Sequence, residues 1–212
     1  MPDGSLTNVG RKPPQCLTNA GRHTVRQPGG NRPPRRRTIT QKEMQDLRFT
    51  LRRAAAADVE TLRRLAEEAF PATYREILSA EQIDYMMEWM YAREKILGEM
   101  AASTAWFVAE ADGEPCGYLS VERAGDEVCI LRKIYLVPRF QGCGGGEFLF
   151  RRAVACARDL CGGPCRMELH VNRRNRARGF YERMGMRCLR SGDFPIGGGY
   201  LMNDWIMGLE ID

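Results

Sequence analysis

The run Gln141-Gly142-Cys143-Gly144-Gly145-Gly146 stands between a strand-like and a helix-like stretch. Before it, Val128 to Val137 is rich in β-branched and aromatic residues and is closed by Pro138; after it, Phe148, Leu149, Ala153, Val154, Ala157 and Leu160 recur at helical spacing. Without Cβ atoms, backbone N–H groups can approach a phosphate closely, and a helix start adds unpaired donors and the positive end of its dipole. Anion binding is therefore the chemistry open to this loop, with a plain flexible turn as the alternative unless companion motifs exist. A P-loop is excluded because no Gly-Lys-[Ser/Thr] follows, and the dinucleotide fingerprint spaces its glycines differently. Downstream, Glu168 and His170 lie two apart in a strand-like run, so they share a face and either could take a proton. His170 is one of only two histidines in the chain.

The companion motif is present. The loop reads Gln141-x-x-Gly144-x-Gly146 after Tyr135-Leu136-Val137-Pro138, and Leu169 to Met186 supplies a strand, Asn172 and Asn175, a helix carrying Tyr181, and Gly185 before the next strand. In this order and at this separation the two motifs resemble the signatures of the Gcn5-related N-acetyltransferase (GNAT) superfamily, over Arg48 to Asp212. The resemblance implies an α/β fold: a mixed central β-sheet flanked by about four helices, with splayed strands forming an acyl-CoA slot. It implies acetyl-CoA as co-substrate, no metal, and direct acetyl transfer to a primary amine. Leu136 and Val137 would pair with pantetheine through the main chain, and a bulge there would aim an N–H at the thioester oxygen. Gln141, Gly142, Cys143, Gly144, Gly145 and Gly146 would hold the pyrophosphate. Glycine at 145, where the family more often has an aliphatic residue, implies a looser loop. Tyr181 matches the family's general acid, a phenol protonated at neutral pH. Asn175 matches its cofactor-side Asn, with Asn172 as rival. Glu168 is the first choice for the base, with His170 or water as alternatives. Cys143 at a helix start could be nucleophilic, but direct transfer needs no such thiol.

The acceptor is read as a small amine. Thr73 to Ser79 with Glu81 to Met86, and Phe194 to Asp204, resemble a branch that includes bacterial spermidine/spermine acetyltransferases. Glu81, Asp84 and Glu88 share one helical face that could hold a polycation or could equally be solvated. A protein N-terminus, a lysine or an antibiotic amine are other acceptors of the same chemistry. A non-catalytic acyl-CoA sensor would need the loop without Tyr181.

The elements that must position these residues follow from pattern and capping. Arg48 to Arg52 alternates as a strand. Asp58 caps a helix with Val59, Leu62, Leu65, Ala66 and Ala69 on one face, ended by Pro71. Ser79 with Gln82 opens a second helix as a capping box, running to about Met100 with a break near Tyr91. A hairpin turns at Asp112-Gly113 between Trp106–Glu110 and Gly117–Val121, and a strand reaches Val137. After the loop and its helix come a strand from Arg166 to Val171, a helix from Arg176 to Met184, and strands Met186–Arg190 and Tyr200–Glu210.

A chain of 212 residues with 43% hydrophobic content fits one domain with a tail. No apolar run approaches the roughly 18 residues of a membrane helix, and Met1 to Ser5 lacks a secretory pattern. A cytoplasmic location is expected, with the eight cysteines reduced and Cys161 and Cys165 flanking a helix-to-strand turn. Residues 1–43 hold nine Lys or Arg against two acidic residues, a net +7, leaving 23 against 25, a net −2, for the remainder. Residues 1–47 are therefore expected to be a disordered basic tail, with Met44 as an alternative start, and 48–212 the transferase domain. Arg35-Arg36-Arg37 reads as a solvated cluster, so neither nucleic acid nor membrane is the expected partner; a homodimer is left open. Truncation before Met44 should leave the melting temperature and CoA affinity unchanged in calorimetry. A large loss of melting temperature would show that the tail packs on the domain.

Overall fold

The computed structural model describes residues 47–212; the basic tail, Arg35 to Arg37 and Cys16 lie outside them. Seven strands form one mixed sheet: β1 (Phe49–Arg53), β2 (Ala105–Ala111), β3 (Glu114–Arg123), β4 (Val128–Leu136), β5 (Cys165–Asn172), β6 (Arg187–Gly197) and β7 (Tyr200–Ile211), in the order β1-β2-β3-β4-β5-β7-β6. Five helices accompany them: α1 (Val59–Tyr74), α2 (Ala80–Tyr91), α3 (Arg93–Ala101), α4 (Gly145–Cys161) and α5 (Ala177–Arg183). Leu47 already packs against the core. No helix among the described residues is long and apolar enough to cross a membrane.

β4 and β5 run parallel, and all other neighbours are antiparallel. A parallel pair needs a crossover, which α4 provides. Its Leu149, Phe150, Ala153 and Ala157 are buried. The β4–β5 ladder covers only Val128 to Ile130 against Arg166 to Glu168. Beyond it the strands part, and the expected splay is present. The register between β3 and β4 slips between Ser120 and Val121, leaving Arg132 as the extra residue of a bulge two positions past Ile130. A bulge bends and twists its strand, and here it steers β4 away from β5. It is not at Leu136–Val137, where the cofactor contact was expected.

Pro71 does not end α1. The helix runs on to Tyr74, and Arg75 N–H donates to Pro71 O at 3.0 Å. Proline's fixed φ is helical, and its missing N–H costs one bond. The extra turn is held by burial of Phe70 and Tyr74, whose rings lie 4.5 Å apart. Asp58 precedes α1 without capping it; its carboxylate instead accepts Arg52 guanidinium bonds at 2.8 and 2.9 Å and the Ala55 N–H at 2.9 Å. Ser79 Oγ does cap α2, accepting Gln82 N–H at 3.2 Å. The Gln82 side chain reaches across to Leu201 O at 3.3 Å, docking α2 on the β6–β7 hairpin. Ala92, extended at φ −55° and ψ 142°, makes the break before α3.

β6 is longer than its pattern indicated. Gly192, Asp193, Pro195 and Gly197 read as breakers, yet the strand continues to Gly197 with irregular register at Cys188/Arg190 and Pro195/Gly197. It lies at the sheet edge, where proline and bulges are tolerated.

At the other edge, β1 supports the glycine loop. A Cβ on Gly145 would come within 2.8 Å of the Phe49 ring and 2.9 Å of Leu136 Cδ1. Phe49 therefore fills the space an aliphatic residue at 145 would take, and the loop is packed at that point rather than loose. Gly145→Ala should destabilise the protein by about 1–3 kcal/mol through overpacking. In a Phe49→Ala background the same change should cost far less, and urea denaturation of the two singles and the double gives the coupling. Additive effects would show that the two positions do not compete for space.

Candidate active site

Where β4 and β5 part, a cleft of about 930 Å³ opens, lined by Ile134, Leu136, Gln141, Gly142, Gly146, His170, Asn175, Tyr181 and, from α1 and the segment after it, Tyr74 to Ile77. Glycine makes this geometry feasible. Gly142 and Gly144 hold φ of +79° and +86°, which a side chain would strain. Phe148 N–H is the first to bond into α4, onto Gly144 O at 3.0 Å. The N–H groups from Gly142 through Glu147 have no hydrogen-bond partner among the described residues. Consecutive free donors at a helix start form an anion site. The Cys143 thiol donates to Phe140 O at 2.9 Å, and the Gln141 amide donates to Leu136 O at 2.9 Å. Both brace the loop on the chain before it.

Main-chain directions along β4 decide which groups face the slot. Val137 N–H donates to Cys116 O at 2.9 Å, so it points to β3 and is spent. Alternation turns the N–H and C=O groups of Leu136 and Ile134 toward β5. Of the two residues expected to pair with pantetheine, Val137 therefore has its N–H spent on β3. Leu136 N–H and the Ile134 peptide groups, the latter missed in sequence, are the free ones.

Asn175 lines the cleft and its Oδ1 accepts Ala177 N–H at 2.9 Å at the start of α5. Asn172 is buried away from the cleft with Oδ1 on Arg174 N–H at 3.0 Å, holding the turn. Tyr181 is buried at the inner end, and its hydroxyl has no hydrogen-bond partner among the described residues. Burial, and then the neighbouring Tyr74, push its acidity well below that of a free phenol, so it keeps its proton at neutral pH. Tyr74 is the residue that sequence reading overlooked; its hydroxyl interacts with those of Tyr135 and the Asn175 side chain, and burial raises it too. Its signal was hidden by the expectation that α1 stopped at Pro71.

Glu168 is not in the cleft. It pairs with Ile130 below the point where the strands part, and its two oxygens take Arg166 Nε at 2.9 Å and Arg190 at 3.3 Å. Two residues on, past the split, His170 lines the cleft, with Nδ1 3.7 Å from Asp204 Oδ2. Glu81, Asp84 and Glu88 are exposed on α2 and line no part of the cleft. Its charged lining is mainly Arg75, Arg132, Arg174 and Arg176, against Glu76. Arg132 is bound to Glu122 at 2.9 Å, and Arg174 donates to Ile77 O and Glu76 O at 3.0 and 3.1 Å, tying the β5–α5 turn to the end of α1. Arg176 has no ion-pair partner among the described residues and adds positive potential at the mouth.

Comparison with known proteins agrees with this geometry. Residues 59–186 match the model of the acetyltransferase (GNAT) family. An uncharacterised N-acetyltransferase of Mycobacterium tuberculosis is 28% identical over 156 residues, 73% of this chain and 98% of that protein. The spermidine N(1)-acetyltransferase of Thermoplasma acidophilum is 28% identical over 125 residues, 57% of this chain and 77% of that one. Among solved structures, the PaiA N-acetyltransferase of Thermoplasma acidophilum in complex with coenzyme A superimposes with a TM-score of 0.65 at 25% identity, covering 77% of this chain and 99% of that one. With a family model matching over half its length and a shared fold, the chain belongs to the GNAT family of N-acetyltransferases.

Proposed function

We infer that the protein transfers the acetyl group of acetyl-CoA directly to a primary amine, with the cofactor diphosphate on the loop and Tyr181 as general acid. The observation that carries this reading is the row of free N–H groups from Gly142 through Glu147 beside a cleft that also holds a protonated, unpartnered Tyr181. Gln141, Cys143 and Gly145 act by shaping that row, and Arg176 adds charge. Leu136 N–H and the Ile134 peptide groups offer an extended pantetheine a ladder like that of an added strand. Asn175, whose Oδ1 accepts Ala177 N–H at the start of α5, presents its side chain on the same wall.

Acetyl-CoA supplies a thioester whose carbonyl carbon accepts the amine. Tyr181 donates its proton to the departing sulfur, and burial keeps that proton in place until it is needed. Likeness to a spermidine acetyltransferase supports a polyamine among the acceptors. The exposed carboxylates of α2 do not support it, because they line no part of the cleft. The acceptor class is therefore a small primary amine, with a cytoplasmic setting consistent with acetyl-CoA supply.

Gly146→Glu tests the diphosphate site with little collateral strain. A Cβ there meets only the Phe180 ring at 3.7 Å, an ordinary contact, while the added carboxylate repels phosphate. CoA affinity by calorimetry should fall at least about tenfold in a protein of unchanged melting temperature; unchanged affinity would remove the loop from the site. Tyr181→Phe keeps the ring and deletes one hydroxyl. Steady-state kinetics with the best amine of a panel including spermidine should show kcat lower by about 10²–10⁴-fold and little change in acetyl-CoA affinity. A Phe variant with near wild-type kcat, where chemistry limits the rate, would end the role of Tyr181 as acid.

A further inference from the structure

An alkylammonium has a pKa near ~10, so an acceptor amine arrives protonated and must lose a proton before it can attack. We propose that His170 takes that proton and that Asp204 positions and polarises His170, a pair that rests on the acetyl-transfer reading above. Glu168 cannot serve, since both of its oxygens are bound by arginines outside the cleft.

Strand register brings the pair together. His170 stands opposite Ile206 and Asn172 opposite Asp204, so Asp204 is the diagonal cross-strand neighbour of His170 on the same face. Asp204 is 4% exposed and its Oδ1 has no hydrogen-bond partner among the described residues. A carboxylate so placed is costly unless a cation compensates it. The imidazolium that forms when His170 takes the amine proton supplies that cation. The 3.7 Å separation of Nδ1 and Oδ2 is an ion-pair distance rather than a hydrogen bond, and such contacts tighten when substrate binds. With Nδ1 toward Asp204, Nε2 is left for the amine. The Phe194 ring of β6 lies 5.0 Å from the imidazole of His170, a side chain otherwise exposed.

Apart from Arg176, which lines the cleft without an ion-pair partner among the described residues, the other charged groups nearby are matched. Glu168 on β5 holds Arg166 and Arg190 of β6, and Asp193 of β6 holds Arg173 at 2.9 Å. Around the cleft, Arg132 holds Glu122, Arg75 lies 3.7 Å from Glu76, and Arg174 is on backbone carbonyls. From α1, the buried Tyr74 hydroxyl is within the field of Asp204. Among these carboxylates only Asp204 has no arginine or lysine partner within the described residues.

In the step, an ammonium N–H bond breaks and the proton passes to Nε2. The freed lone pair attacks the thioester carbon, and the C–S bond breaks as sulfur takes the Tyr181 proton. The nitrogen sheds a second proton in the collapse, which restores Tyr181 through solvent, and His170 releases its own, so one proton leaves per turnover.

Two readouts test the pair. The first is the ¹⁵N imidazole spectrum, simple because the chain has only two histidines and His170→Gln assigns the signal. The neutral ring should carry its proton on Nδ1 in the wild type and lose that preference in Asp204→Asn. The second is kcat/KM against pH with the best amine of the panel. His170→Gln should lose about 10²-fold, and Asp204→Asn should lose about tenfold while its acid limb moves to lower pH, since removal of the carboxylate destabilises the imidazolium. Both variants should keep wild-type CoA affinity. An Nε2-protonated ring indifferent to Asp204→Asn, or variants with wild-type rates and profiles, would overturn the pair and leave acetyl transfer standing. A wild type that acetylates no amine would instead bring down the acetyl-transfer reading, and the pair with it.

Discussion

Two neighbouring strands that stop hydrogen-bonding to each other are the condition on which the rest of this molecule depends. β4 and β5 share a ladder only from Val128 to Ile130, and the bulge at Arg132 turns β4 away just beyond it. Inside a sheet, unpaired peptide groups are expensive. The Leu136 carbonyl is satisfied by the Gln141 amide, whereas Leu136 N–H and the Ile134 peptide groups face the opening. The gap is thus an unfilled strand position, with a row of unpaired N–H donors at its end. An extended chain ending in a diphosphate matches both halves of that description.

An aromatic cluster packs beside the gap. Phe70 and Tyr74 of α1 stack toward Tyr135 of β4, and Tyr135 lies 5.4 Å from Tyr118, whose hydroxyl is 2.7 Å from that of Tyr91. These rings fill one face of the sheet beside the split. Lys133 is buried with them, 4.7 Å from the Trp106 ring and 3.5 Å from Glu99. Burial disfavours charge on every phenol of the group, so these rings keep their protons. Tyr74 joins this packing to chemistry, because its hydroxyl meets both Tyr135 and Asn175 while its ring lines the cleft.

Much of this was legible in the sequence because local rules and tertiary packing agreed. The glycine loop, the Ser79 cap, the Asp112-Gly113 turn and the break after Tyr91 are set by short-range sterics and hydrogen bonding. What escaped was decided at long range. Pro71 is a helix breaker by propensity, yet burial of Tyr74 carries α1 past it. Pro195 and two glycines hid half of β6, since nothing local marks a strand as an edge. Glu168 and His170 share a strand face, and only the length of the β4–β5 ladder separates a structural carboxylate from a cleft histidine. Asp204 is 34 residues from His170 in sequence and becomes its neighbour only through strand register.

The central claim is that the split strand and the loop together hold the acyl carrier. Backbone amide hydrogen exchange, followed by NMR with and without acetyl-CoA, reads it residue by residue. Protection should rise at Leu136, at Ile134 and from Gly142 through Glu147, whose donors are free without ligand, while Val137, already bonded to Cys116, should change little. Protection that appears elsewhere on the sheet and leaves Gly142 through Glu147 exchanging as before would contradict the account.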